Sequence, residues 1–382
     1  MTASDQAGPD PAGPERVRPE RPVFILGCPR SGTTLLRVML NAHPRIAIPP
    51  ETRFLVPAYL RRRRFGGLRT REQRERLARF VLDRPLSRFS RLEVSADEVR
   101  ARMDKATSLG AALAAPFAAY ADRLGKARWG DKRPFYYSFV DELDRLYPDA
   151  QFVHVVRDGR ACAASLKRPP FDYGSERAMV TWLNAVHSCR RAGERLGPQR
   201  YHEVRYEDLV ADPEASLRAM CGFLGEDFDP AMLAPEEVVD LVVPAGFEQH
   251  GQIKAGVNAA SVAKWRQELS AGEVATMESV GGDWLRTFGY EVAGGRPPPV
   301  TAARVRLGHW RYVRNLSRWR ARETKLHAEE PPVAATVDAS TWRRPAPSGR
   351  GGRRLRRLTR PVRRRVERVH GRLQRRRRDS LM

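Results

Sequence analysis

The sequence predicts a three-layer α/β/α fold around a central parallel sheet, of the kind built on a phosphate loop, with a helical, basic C-terminal extension. Three observations carry this expectation. Continuous apolar runs at 23–26 (VFIL) and 152–156 (FVHVV), with a third around Val204 to Tyr206, read as strands buried between two layers. Each is followed at once by a helix-period segment, the alternation that gives parallel strands with helices on both faces. The turn after the first run is rich in glycine and hydroxyl residues, a phosphate-loop pattern.

In chain order, residues 1–21 are rich in proline, glycine and charge and lack the apolar core of a secretory signal, so they are expected to be a disordered lead. Residues 22–294 form the main domain. Its first helix is expected over 33–42, with Leu35, Leu36, Met39 and Leu40 on one face, and Pro44 closes it. Residues 45–48 read as a second strand, and 55–128 as mostly helical, including the alanine-rich 109–124. The arginines at 61–64 are expected on a solvated helix face. A helix through Leu166 follows the 152–156 strand, and another helix carries Leu217 and Phe223. Residues 295–341 hold Trp310, Val313 and Leu316 at helical spacing, then a proline-containing linker. In 342–382, Leu355, Leu358, Val362, Val366, Val369 and Leu373 make a narrow apolar stripe on a cationic tail that Pro361 interrupts.

The formal net charge of +24 is concentrated at the end: from Arg343 onward seventeen arginines face only Glu367 and Asp379, a local net of +15. A basic partner-binding role therefore belongs first to the tail, and the moderately basic body reads as an enzyme domain. The four cysteines (Cys28, Cys162, Cys189, Cys221) form no CxxC pair, so neither a zinc site nor a disulfide framework is expected, and a reducing cytoplasm fits them. No stretch is apolar enough to span a bilayer. No metal site is expected.

The loop Gly27-Cys28-Pro29-Arg30-Ser31-Gly32-Thr33-Thr34 joins strand to helix. Backbone N–H groups and the positive helix end converge on an anion there, glycines permit close approach, and Ser31, Thr33 and Thr34 offer hydroxyls. The spacing is that of GxxxxGK[ST], with Thr33 where the lysine for a triphosphate would stand. Arg30 supplies the cation from within the loop, which disfavours triphosphate hydrolysis. Cys28 reads as a packing residue. A second anion site is expected at Arg157-Asp158-Gly159-Arg160, where Arg157 and Ser165 suit a phosphate monoester at the carboxyl edge of the sheet. Asp158 and Arg160 are expected to serve as helix start and surface ion-pair partner. His43 reads as a cap or packing residue and His154 as hydrogen-bonded core.

The run PVFILGCPRSGTTLLRVMLNAHPRIAIPPETRF resembles the donor-binding start of sulfotransferases that use 3′-phosphoadenosine 5′-phosphosulfate, and within them the tyrosylprotein sulfotransferases and their bacterial relatives. The likeness continues piecewise from about Pro22 to Glu291 and is poorest between Val56 and Arg128. It implies Glu51 as catalytic base and Lys132 as catalytic lysine, with Arg30 sharing the neutralisation of the leaving oxygen. It also implies that Arg157 and Ser165 hold the donor's 3′-phosphate, and that the segment Gly256-Val257-Asn258 through Lys264 closes over the nucleotide, Lys264 as phosphate contact. Arg53 is an acceptor contact or an ion-pair partner of Glu51, and Tyr206 is substrate lining or a core aromatic. The arginines and lysine can neutralise the donor without a metal.

The expected function is sulfuryl transfer to an acceptor hydroxyl of open class: a small metabolite, glycolipid, saccharide or tyrosine. Two alternatives stand beside it, a phosphate-loop kinase and a non-catalytic nucleic-acid-binding protein acting through the tail. Residues 342–382 suit an anionic membrane surface, nucleic acid or an acidic substrate, with peripheral contact at the inner membrane surface favoured by the apolar stripe.

Overall fold

The structure, a computed structural model, describes residues 21–242, 262–328 and 333–334. The expectations for the amino-terminal lead, Gly256-Val257-Asn258 and the striped tail lie outside the described residues. The chain divides into two units, 1–337 and 338–382, the second lying wholly outside them.

The elements run β1 (Val23–Gly27), α1 (Thr33–Ala42), β2 (Ile46–Ala47), α2 (Leu55–Leu60), α3 (Arg71–Leu82), α4 (Ala96–Asp104), α5 (Leu109–Arg123), β3 (Arg128–Lys132), α6 (Val140–Leu146), β4 (Gln151–Val156) and α7 (Gly159–Leu166). Then come α8 (Ser175–Leu196), β5 (Tyr201–Arg205), α9 (Tyr206–Ala211), α10 (Pro213–Leu224), α11 (Pro235–Val242), α12 (Trp265–Glu268), α13 (Ala271–Thr287) and α14 (Pro299–Ala328). Short 3-10 turns occupy Arg62–Leu68, Pro85–Ser87, Phe89–Leu92 and Pro134–Ser138.

The five strands form one parallel sheet in the order β2-β3-β1-β4-β5. Strand alternation sorts the core into two layers. Val23, Ile25, Val153 and Val155 pack into a cluster with Leu36, Leu40 and Leu217 from α1 and α10. Phe24 and Phe152 point the other way and stack at 5.6 Å, and Phe24 also meets Trp129, Tyr136 and Tyr147 edge-on or tilted. Because β1 is flanked by β3 on one side and β4 on the other, the crevice at its carboxyl end is where such sheets hold ligands.

Strand β3 is not anticipated by the sequence reading: RWGDK lacks an apolar run, yet all five residues are buried in an inner strand of the sheet. Partners distant in sequence make this tolerable. The Arg128 guanidinium donates to the backbone oxygens of Arg21 and Leu224 and to Gln151, and lies 3.4 Å from Glu226. Gly130 is required because a Cβ there would come within 2.6 Å of the Val23 carbonyl oxygen. Three further corrections concern side chains. Tyr206 opens helix α9 and does not end a strand, since β5 stops at Arg205. Arg62 is buried and pairs with Glu323 at 2.9 Å, whereas Arg61, Arg63 and Arg64 are exposed as expected. Arg160 is buried as well, held by Asp158 and Glu278 and stacked 4.2 Å from the Trp265 ring. Helix α14 packs along α8, so this part of the extension belongs to the body.

Candidate functional site

Every strand delivers a singled-out residue to the same sheet edge. The phosphate loop follows β1, Glu51 follows β2, Lys132 ends β3, Arg157 follows β4 and Tyr206 follows β5. Because all five strands run parallel, their carboxyl ends share one edge, which makes this convergence a product of topology.

In the loop, Arg30 adopts φ 74°, a left-handed conformation that a branched or long side chain takes at a cost of order 1 kcal/mol. That turn presents its carbonyl oxygen to Arg157, whose Nη1 donates to it at 3.0 Å, and its side chain to Ser165, whose Oγ accepts from Arg30 Nε at 2.8 Å. The two anion motifs are thereby tied together. Arg157 lies 4.4 Å from the Tyr206 ring, and its carbonyl accepts from Trp182 Nε1 at 3.0 Å. Gly32 has φ 98°, and a Cβ on it would fall 2.3 Å from the Tyr206 ring. Tyr206 therefore packs beneath the phosphate loop, on the donor side. Asp158 caps α7 by accepting from the Arg160 N–H at 2.8 Å, which sets the helix that carries Ser165.

Lys132 Nζ donates to Thr34 Oγ1 at 3.2 Å and to the Glu51 carboxylate, joining the phosphate loop to Glu51 through one ammonium. The Lys132 side chain is 3% exposed and that of Glu51 is 30% exposed, so the carboxylate keeps a face open. Burial by itself would raise the Glu51 carboxyl, but the charge and hydrogen bond of Lys132, with Arg37 and Arg133, more than reverse this and hold it below the usual carboxylate range. Burial lowers Lys132, against the opposing pull of Glu51. Beside them, burial pushes Asp131 up to about 7, although Tyr136 donates to its Oδ2 at 2.5 Å.

A cavity of about 230 Å³ is lined by Arg53, Phe54, Phe80, Leu86, Arg133 and neighbours. Arg53 and Arg133 both feel the charge of Glu51. Burial and the neighbouring charges of Arg91 and Arg53 bring Arg88 down to about 10, and Glu51 is the acid among its electrostatic neighbours. Arg53, exposed and anchored by its backbone N–H to the Ser87 carbonyl at 2.8 Å, thus stands in a cationic rim. Lys264 is exposed one residue before Trp265, which packs against Ala161 and Ala164 of α7. The hydrogen bonds that join Arg30, Arg157 and Ser165 do not extend to it.

Sequence reasoning missed Arg37 and Arg88. Arg37 is 3% exposed, burial brings it down to about 10, and its charge reaches Glu51 and Asp131. Its signal was present: it is the single charge in the ten-residue helix TTLLRVMLNA. Cys28 is buried, which pushes its thiol well up and makes it a poor nucleophile, in keeping with a packing role. His43 accepts from the Arg45 N–H and contacts the Asp227 carbonyl, and His154 bonds Tyr201 and Glu203 in the core. No group of metal-ligating side chains occurs among the described residues.

A parallel sheet with a phosphate loop after β1 and an arginine–serine anion motif after β4 defines a phosphate-loop nucleotide-binding protein. Residues 22–230 match the Sulfotransferase family model. The chain is 28% identical over 277 residues to protein-tyrosine sulfotransferase A of Caenorhabditis elegans, covering 70% of this chain and 67% of that protein. It is 29% identical over 291 residues to nodulation protein NoeE of Sinorhizobium fredii, covering 70% and 65%. The solved sulfotransferase domain of the Synechococcus olefin synthase superposes with a TM-score of 0.52 at 31% identity, over 73% of this chain and 98% of that one. The chain belongs to the sulfotransferase family and is an enzyme whose donor is 3′-phosphoadenosine 5′-phosphosulfate. The residues present fit that donor: Ser31 Oγ is buried with no hydrogen-bond partner in the loop, and Arg30, Arg157, Ser165 and the backbone of the loop are of the type that phosphate and sulfate oxygens require.

Proposed function

We propose that this enzyme transfers the sulfuryl group to the hydroxyl of an anionic acceptor, with Glu51 as base and Lys132 and Arg30 as the cations at the leaving oxygen. The observation that carries this is the chain Thr34, Lys132, Glu51, which places one ammonium between the donor loop and the carboxylate. Sulfuryl transfer depends on positioning and charge compensation along the line of acceptor and leaving oxygens. Glu51 takes the acceptor's proton as the new O–S bond forms. As a carboxylate of lowered pKa it is a weak base, so proton transfer accompanies O–S bond formation and does not precede it. When Lys132 turns toward the leaving oxygen, Glu51 loses the largest of its counter-charges, keeps those of Arg37 and Arg133, and becomes more basic.

Arg157, Ser165 and the loop hydroxyls bind and orient the nucleotide, and Arg53, Arg88, Arg91 and Arg133 receive the acceptor's negative charge beside the apolar walls of Phe54, Phe80 and Leu86. A tyrosine hydroxyl next to acidic residues meets this description, as does a hydroxyl of an anionic saccharide, glycolipid or metabolite. The relatives named as protein-tyrosine sulfotransferases support the former. Purified Glu51→Gln enzyme, offered the donor and a panel of hydroxyl compounds, is expected to lose turnover by about 10²- to 10⁴-fold. Its affinity for adenosine 3′,5′-bisphosphate should be unchanged. Retained turnover would remove Glu51 from the base role, and uncharged acceptors outperforming anionic ones would remove the charge preference.

A further inference from the structure

Helix α14 has two unlike faces. The inner one is fixed to the body: the Tyr312 hydroxyl lies 2.9 Å from both Ser138 and Ser188 Oγ, Trp319 Nε1 donates to Glu142 at 2.8 Å, and Glu323 pairs with Arg62. The outer face begins with Val300, Leu307 and Trp310, which are 61%, 43% and 53% exposed. Six large hydrophobic side chains are exposed among the described residues, and half of them fall on this one stripe.

At 100° per residue, Arg311, Arg314, Arg318, Arg322 and Lys325 continue the same line, and all five are exposed. Glu323, the helix's acid, sits on the inner face, so no carboxylate of α14 offsets these cations. Arg314 stacks 4.5 Å from the Trp310 ring, linking the apolar start of the stripe to its cationic run. From Val300 to Lys325 the stripe is roughly 37 Å long, on a rigid helix.

We propose that this face seats the enzyme on an anionic phospholipid surface. Val300, Leu307 and Trp310 enter the headgroup boundary while the five cations meet lipid phosphates. Charge complementarity would also suit a nucleic acid, whose bases can stack on a tryptophan, but Val300 and Leu307 gain little from a phosphodiester chain. A bilayer accommodates both halves of the stripe. The stripe does not include residues 342–382, whose seventeen arginines are cations of the same sign. The test must therefore change apolar area without changing charge.

Full-length protein is mixed with vesicles of phosphatidylcholine containing phosphatidylglycerol, and sedimentation measures the bound fraction. Leu307→Ser combined with Trp310→Ser is expected to lower partitioning about tenfold. Binding of adenosine 3′,5′-bisphosphate, unchanged in the double variant, reports that the fold is intact. Lipids brominated in the acyl chain should quench a component of tryptophan fluorescence in wild type that is absent from Trp310→Phe. Wild-type partitioning in the double variant, or no quenching difference at Trp310, overturns the proposal. So does a loss confined to duplex DNA binding when Arg311, Arg314 and Arg318 are changed to glutamate.

Discussion

Lys132 and Glu51 set each other's protonation, so removing one changes the chemistry of the other. In Lys132→Met the largest part of the compensation for Glu51 burial is lost, with Arg37 and Arg133 remaining, and the carboxyl should titrate at a higher pH than in wild type, measured by carbon-13 NMR of the carboxyl group. Turnover should fall by about 10²- to 10³-fold, the scale for a lost transition-state charge contact. Asp131 behaves oppositely. Its folded-state pKa of about 7 lies above that of an unfolded aspartate, so its contribution to stability is complete below about pH 4 and is lost as pH rises through 7. Asp131→Asn should remove that decline, and melting temperatures recorded between pH 5 and about 8 will show whether the slope flattens.

At the level of elements, the phosphate loop depends on a glycine that the ring beneath it demands. Gly32→Ala combines an unfavourable φ of 98° with a Cβ 2.3 Å from Tyr206, so the loop must move. Affinity for adenosine 3′,5′-bisphosphate is expected to fall about tenfold or more by calorimetry, the effect of about 1.4 kcal/mol. Strands β1 and β4 were legible because apolar residues with a glycine or arginine just beyond them have few other uses. Strand β3 was hidden because its burial is made possible by Arg21, Gln151 and Glu226, which its own five residues do not predict. The same reason applies to Arg160, which would be an ordinary surface cation without Glu278. Glu51, Lys132, Arg157 and Ser165 could be placed through motif resemblance, whereas the cationic rim needed the fold to bring Arg53, Arg88, Arg91 and Arg133 into one field.

Across the whole molecule, α14 is tied to the body by contacts that are costly to break singly. The Arg62 and Glu323 side chains are 7% and 3% exposed, and removing the acid would leave a buried guanidinium without this partner. Glu323→Ala should destabilise the protein by about 3–5 kcal/mol, read as a lower denaturation midpoint, while Arg62→Leu with Glu323→Leu should recover most of it. No helix among the described residues is long and apolar enough to cross a membrane.

The assignment of one strand end to each task has a practical corollary. In the proposed division of labour the nucleotide grip is drawn from the ends of β1 and β4, while the acceptor rim comes mostly from residues 53–91, with Arg133 beside them. Replacing that stretch, with Arg62 kept for its buried pairing with Glu323, is expected to redirect the enzyme to a different hydroxyl compound while affinity for adenosine 3′,5′-bisphosphate stays unchanged.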